Sequence, residues 1–395
     1  MRWHIVQHGF VKTGSHEYGE AQCWAQALQG RDWCGYGAAG LPAALAQASG
    51  YLPCFDYTAH TVLDPDPVSR EVSDYLRLAA AFAHSLQQQV TPRLSGQDRL
   101  VVTYSTQREL QGAAHWLATL EPAARPAMAF VFHLPDFEWK VSADRSQVQG
   151  FFATWRHAAN QLRLVLPESQ CMLGATTPQL AQVLTQVFAA PVQEVPLVLP
   201  LSLHDGDAGP AKAYDIILPG LLRREKGGAL LDDLLQALAQ ARPQLHVALQ
   251  TETLEQAQAL CSRYDDLKLP LQLSVAHGSV DTRQQVDRLR RARVVLLPYD
   301  AGRYALRASG VAAEAFMYGL PVVAPQHTWV ADQMLAGKAA GALFDQWNAP
   351  LMAAAALAAL DQLAALSDQA ALLAPAWRAQ AGAAPLLQQI EQSLA

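Results

Sequence analysis

Residues 293–324, RVVLLPYDAGRYALRASGVAAEAFMYGLPVVA, restrict the fold more than any other stretch of the chain. Val294-Val295-Leu296-Leu297-Pro298 is a short apolar run with the pattern of a strand buried on both faces. A loop from Tyr299 to Ser309 holds two arginines, a serine and a glycine. A helix is expected over Gly310 to Tyr318, with Glu314 in its second turn. Gly319 stops it, and Pro321-Val322-Val323-Ala324 starts another strand. This places a helix N-terminus at the carboxyl end of a parallel sheet, where the amides at Ser309, Gly310 and Val311 suit an anion such as phosphate. Glu314, one turn further in, is suited to accept from a neutral hydroxylated group such as ribose. The plain alternative is an ordinary crossover with a glutamate on its surface.

Around this segment strand and helix alternate. From the strand Tyr214-Asp-Ile-Ile-Leu218 the pattern gives helix 229–241, strand 245–250, helix 253–263, strand 271–276, helix 281–292 and strand 294–298. Such alternation implies a parallel sheet covered on both faces. The first turn of this region, Gly220-Leu-Leu-Arg-Arg-Glu-Lys-Gly-Gly228, supplies Arg223, Arg224 and Lys226 beside glycine-exposed amides. Cations and amides at a helix start can neutralise a diphosphate without a metal. The spacing is not that of a Walker A loop. A solvated basic turn is the alternative. Arg288, Arg290, Arg291 and Arg293 read as a solvated helix face.

At 395 residues the chain exceeds one ordinary domain, so two are expected. Hydrophobic residues at 51% against 16% charged ones suit large cores, and a net charge of −6 argues against a broad nucleic-acid footprint. The five cysteines are scattered without a CxxC pair, which points to free thiols in a reducing compartment and to no zinc site. No apolar run has transmembrane length and none leads the chain, so the expected location is the cytoplasm, with peripheral membrane contact left open.

The first half reads as strand Trp3 to Gln7, loop His8 to Glu17, and helix Tyr18 to Leu28. Residues 31–67, rich in Gly and Pro, read as loops and a short helix. A long amphipathic helix follows over Val68 to Val90, then strand Arg99 to Tyr104, helix Gln107 to Leu120 and strand Ala127 to Leu134. His133 stands at the end of that strand, with Asp136 and Glu138 just after it. Helix Phe151 to Ala159, strand Leu162 to Pro167 and helix Gln179 to Phe188 close the layer. The Gly-, Asp- and Pro-rich residues 201–213 read as a linker.

Ser309-Gly310, Glu314-Ala315 and Gly319-Leu320-Pro321-Val322-Val323, with Lys226-Gly227, resemble the donor segments of the family 4 (group 1) glycosyltransferases. The resemblance is dense over about 214–365 and looser over 1–200. It implies an α/β chain of GT-B fold: two Rossmann-like domains with parallel sheets facing across a cleft. The implied domains are 1–200 on the acceptor side and 214–368 for the nucleotide-sugar donor, with a helix over 369–395 packing back on the first. Lys226 with Arg223 or Arg224 would hold the donor diphosphate, Ser309, Gly310 and Val311 its oxygens, and Glu314 the ribose. His133 would line the donor-sugar side as the catalytic candidate, and Gly14 would stand in the cleft loop with Lys12, Thr13, Ser15 and His16. The turn Ala276 to Val280 falls where family backbone faces the base. The implied activity is a metal-independent, retaining transfer from a nucleotide sugar to an unidentified acceptor in glycoconjugate synthesis, with no resident cofactor. Two family positions differ: Leu306 stands at the first glutamate and Leu221 at the arginine. Those differences keep a non-catalytic GT-B protein that binds a nucleotide sugar or a partner as an alternative; a nucleotide-sugar epimerase of the same fold is a second alternative, among enzymes.

Overall fold

A computed structural model describes residues 1–13, 15–58, 61–135, 139–142, 144–200, 209–278 and 280–395. The chain divides into two units, one of residues 1–140, 148–200 and 381–395, the other of residues 141–147 and 201–380.

The first unit opens with β1 (Trp3–Val6), α1 (His16–Ala27), β2 (Trp33–Ala38), α2 (Ala43–Ser49), β3 (Tyr51–Phe55) and α3 (Pro67–Ser85). It continues through β4 (Arg99–Val102), α4 (Gln107–Ala118) and β5 (Ala127–Phe132). A short ribbon, β6 (Lys140–Val141) and β7 (Val148–Gln149), precedes α5 (Ala153–Val165), β8 (Cys171–Ala175), α6 (Pro178–Phe188) and β9 (Gln193–Glu194). Seven strands form one parallel sheet in the order β3-β2-β1-β4-β5-β8-β9. Ile5 is registered with Gly35 on one side and Val101 on the other. The polar ends Gln7, His8, Thr103 and Ser105 are buried where these strands finish.

Two expectations fail in this unit. Residues 31–67 contain β2 and β3, whose glycines and cysteines disguise an edge that pairing with β1 and burial of Tyr36, Tyr51 and Phe55 stabilise. The expected strand Leu162 to Pro167 is the end of α5 and its exit. Leu162 and Leu166, four apart, are both buried while Leu164 is 77% exposed, which is the helical period. The strand is β8 instead.

The second unit runs β10 (Tyr214–Ile217), α7 (Leu231–Ala241), β11 (His246–Thr251), α8 (Leu254–Asp266), β12 (Gln272–His277), α9 (Thr282–Arg290) and β13 (Ala292–Leu296). Then come α10 (Ala301–Tyr304), α11 (Gly310–Met317), β14 (Val322–Pro325), α12 (Trp329–Leu335), β15 (Gly341–Phe344), α13 (Ala349–Asp361) and α14 (Leu363–Ala379). Its six strands are parallel in the order β12-β11-β10-β13-β14-β15. Ile216 is registered with both Val247 and Val294. The order reverses between β10 and β13, which is the switch point where open α/β sheets take ligands. Leu234, Leu235, Leu238 and Met352 cover the sheet with Val247, Val294 and Val323.

The chain ends in α15 (Ala384–Ser393), whose Leu386, Leu387 and Ile390 lie in the first unit's core with Trp3 and Trp24. The single terminal helix expected over 369–395 is thus two elements, α14 grouping with the second unit and α15 with the first. Among the described residues no single helix is long and apolar enough to cross a membrane.

Candidate functional site

The basic turn after β10 is built by its glycines and by contact with the end of β13. A 3-10 turn, Arg224–Lys226, ends in Gly227 at φ +87°. A Cβ on Gly227 would stand 2.4 Å from Pro298 Cγ, so only glycine both adopts this conformation and admits the proline. Asp300 N–H donates to the Glu225 carbonyl at 2.9 Å, and Trp347 Nε1 donates to the Pro298 carbonyl at 3.0 Å. The two loops flanking the switch point are thereby fastened to each other.

Lys226 is half-buried and folds back over Gly220, its Nζ lying 3.7 Å from where a Cβ on that glycine would be. Burial first, then the Arg223 charge, pushes its pKa below the ordinary lysine value; Glu225 opposes this and Arg307 adds to it. Among the described residues its ammonium has no hydrogen-bond or ion-pair partner. The structure thus brings Arg223 and Lys226 together and adds Arg307, to which the sequence reading gave no role. Arg224 lies in the same turn with an exposed side chain. Leu221, Leu222 and Arg223 also line a cavity of about 280 Å³ with Thr251, Gln256 and Arg263.

Across the switch point Ser309 caps α11, its Oγ accepting from Ala312 N–H at 3.1 Å. The Tyr299 hydroxyl lies 3.1 Å from the same Oγ. Tyr299 stacks on Tyr304 with ring centroids 3.9 Å apart, and Arg307 lies over Tyr304 at 6.0 Å. The amides of Gly310 and Val311 have no acceptor among the described residues, as expected for the first positions of a helix. Glu314, one turn on, is half-buried with no hydrogen-bond or ion-pair partner among the described residues, and burial pushes its pKa up to about 7. Leu306 is 2% exposed.

In the first unit His133 Nε2 donates to the Thr103 carbonyl at 2.8 Å, and its ring stacks on Tyr104 at 5.5 Å and 9°. Burial, reinforced by His16 and opposed by that hydrogen bond, lowers its pKa to about 4. The imidazole is therefore neutral near pH 7, with the proton on Nε2 and the Nδ1 lone pair able to accept. Gly14, Asp136, Glu138, Ser279 and linker residues 201–208 lie outside the described residues.

One residue was misjudged from sequence. Arg288 is not on a solvated face: it is half-buried, donating through Nη1 to Gln250 Oε1 at 3.0 Å and through Nη2 to the Leu249 carbonyl at 2.8 Å. Helical spacing alone could not show this, because β11 supplies both acceptors.

No family model matches the chain, and no curated relative was found. Solved structures do match along its length. Trehalose-6-phosphate synthase OtsA is similar with 14% identity, 99% of each chain covered and a TM-score of 0.65. HepE of Anabaena in complex with UDP is 15% identical over 100% of this chain and 99% of that one, with a TM-score of 0.60. A glycosyltransferase from Rickettsia africae is 12% identical over 99% and 97%, with a TM-score of 0.62. These likenesses show the fold: the chain has the α/β GT-B fold, with two Rossmann-like units built on parallel sheets.

Proposed function

We propose that the chain is a glycosyltransferase that moves a sugar from a nucleoside-diphosphate donor to an acceptor still to be identified. One observation carries this reading. Lys226 with Arg223 follows β10, and the unengaged amides of Gly310 and Val311 with the unpartnered Glu314 follow β13, so both sets stand on the segments that leave the switch point of the second unit's sheet. Cations and free amides suit a diphosphate, and an acceptor carboxylate one helical turn away suits ribose hydroxyls. That HepE of Anabaena was solved with UDP-glucose is in keeping with it.

In this reading Arg223, Lys226 and the α11 amides stabilise the departing diphosphate by preorganised charge. Arg224 is a second, exposed cation for the same group. His133, neutral with Nδ1 free to accept, takes a hydrogen bond from a sugar hydroxyl. The finer reading is a family 4-like, retaining enzyme that needs no divalent metal and acts in the cytoplasm. Leu306 favours a second reading, a nucleotide-sugar binder without turnover, because a buried apolar residue stands where the family carries its first glutamate.

Lys226→Ala should weaken binding of nucleoside diphosphate by roughly 1.5–3 kcal/mol, the range for hydrogen bonds to charged groups. Unchanged affinity in calorimetry would remove Lys226 from the site. Transfer measured with time from radiolabelled nucleotide sugars separates enzyme from binder. That activity should persist in EDTA; loss in chelator with recovery in Mn²⁺ or Mg²⁺ would overturn the metal-free site.

A further inference from the structure

The first unit holds a cavity of about 240 Å³ to which the donor-site reading gives no role. It opens where the sheet runs out. β9 is two residues long and pairs only with Gly174 and Ala175. Cys171, Met172 and Leu173, at the start of β8, therefore carry no strand on their outer side among the described residues. The end of α5 and the turn at Ala190 close around that bare edge, and Ala159 and Ala190 are too short to fill the space. Every lining residue is described, and all belong to the first unit. Cys171 is registered with Met128, so this edge lies roughly 16 Å along the strand direction from His133.

The walls present two kinds of surface. Leu110, Leu162, Leu166 and Met172 are buried and form an apolar floor. Arg163 and Glu168 supply the charged part. Arg163 is half-buried, with Nη1 donating to Asn160 Oδ1 at 2.8 Å and Nη2 to the Phe188 carbonyl. Both acceptors are neutral, and among the described residues no carboxylate pairs with this guanidinium. Glu168 is exposed and has no hydrogen-bond or ion-pair partner there either. Cys171 feels both charges: burial pushes its pKa up to about 12, Arg163 opposes this and Glu168 adds to it. It stays a neutral thiol, a piece of wall and not a nucleophile.

Size and charge together select the ligand. An apolar cavity of ~150 Å³ takes benzene, so this larger one has room for a ring or branched chain of that size and a short polar head. A head with only a negative charge would answer Arg163 and be repelled by Glu168. A head with only a positive charge would meet the reverse. A zwitterion answers both. We infer that the cavity binds a free apolar α-amino acid, its carboxylate on Arg163, its ammonium on Glu168 and its side chain against Leu162, Leu166 and Met172. The site goes beyond the donor-site reading and does not depend on it.

Calorimetry on the full chain would use L-phenylalanine and L-leucine as ligands. The comparison probes are 3-phenylpropionate, phenethylamine and glycine, which lack the ammonium, the carboxylate and the side chain in turn. The better of the two amino acids should bind roughly tenfold more tightly than each of these probes. Glu168→Gln changes an exposed residue and should leave the fold intact. It should weaken amino-acid binding about fivefold while 3-phenylpropionate binds no more weakly than to the parent, because the repulsion of an anion is gone. Ala190→Trp fills the cavity and should abolish amino-acid binding; Cys171→Phe, which fills it from β8, serves if the first variant does not fold. Absence of amino-acid binding at millimolar concentration would overturn the inference. So would 3-phenylpropionate binding as tightly as phenylalanine, an amino-acid affinity unchanged in Glu168→Gln, or binding that survives the filled cavity.

Discussion

Glu314 shows how much one side chain can carry. A half-buried carboxylate without a partner is unfavourable when charged, and burial accordingly raises its pKa from 4.5 to about 7. A carboxyl that binds its proton more tightly when folded contributes stability in full below pH 4.5 and loses it as pH rises through 7. The unliganded protein should therefore be less stable at pH 8 than at pH 5, by at most about 3 kcal/mol from this group, and melt at a lower temperature. Ligand hydroxyls reverse the preference, because they donate to the ionised form. Nucleotide affinity should rise between pH 6 and 8, and Glu314→Gln should flatten that slope while costing about 1–3 kcal/mol of binding at pH 8. A mutant with the parent's affinity and pH profile would make Glu314 a surface residue of no consequence to binding. At this scale the sequence was legible where one element decides the outcome. Lys226 and Glu314 each follow from spacing within a single turn or helix. Arg288 was not legible, since its acceptors Gln250 and Leu249 belong to a strand 38 residues away.

Elements were readable where their own period decided them and unreadable where pairing did. The second unit's alternation is plain in the sequence because its central strands are continuous apolar runs such as Val294 to Leu297. β2 reads as a loop because Trp33-Cys-Gly-Tyr-Gly-Ala lacks β-branched residues, and it is a strand because β1 and β3 flank it. The turn after β10 is the element on which the proposed site depends. Gly227→Ala there would force a side chain into a left-handed conformation, costing roughly 1–2 kcal/mol before any contact is counted. Its Cβ would also meet Pro298 at 2.4 Å, so the loop ends must separate. The expected result is a lower urea midpoint together with weaker nucleotide binding. A variant with both properties at parental values would mean that the turn and the β13 loop need not touch for the site to form.

At the scale of the whole molecule, the division of the sequence into two units does not follow chain order. Residues 381–395 return to the first unit, where Ala383, Leu386, Leu387, Ile390 and Leu394 are all buried. Arg99 Nη2 donates to the Leu394 carbonyl at 3.2 Å and Gln389 Nε2 to the Glu194 carbonyl at 2.9 Å, so the last turn is fastened as well as packed. Each fully buried aliphatic side chain is worth about 1.5–3 kcal/mol, and domains are stable by only about 5–15 kcal/mol. Truncation after Gln380 removes four such residues, Leu386, Leu387, Ile390 and Leu394, together with Ala383, from the core that holds Trp3 and Trp24. The first unit should then fail to fold, whereas the second, whose core draws on none of these residues, should keep its transition. Ile390→Ala tests the same packing more gently and should cost the first unit roughly 2–5 kcal/mol. Calorimetry should show one transition lost in the truncation and one lowered in the point variant, with red-shifted tryptophan emission accompanying the loss. If the truncated chain retained both transitions at parental temperatures, α15 would be an appendage and the first unit's core complete without it.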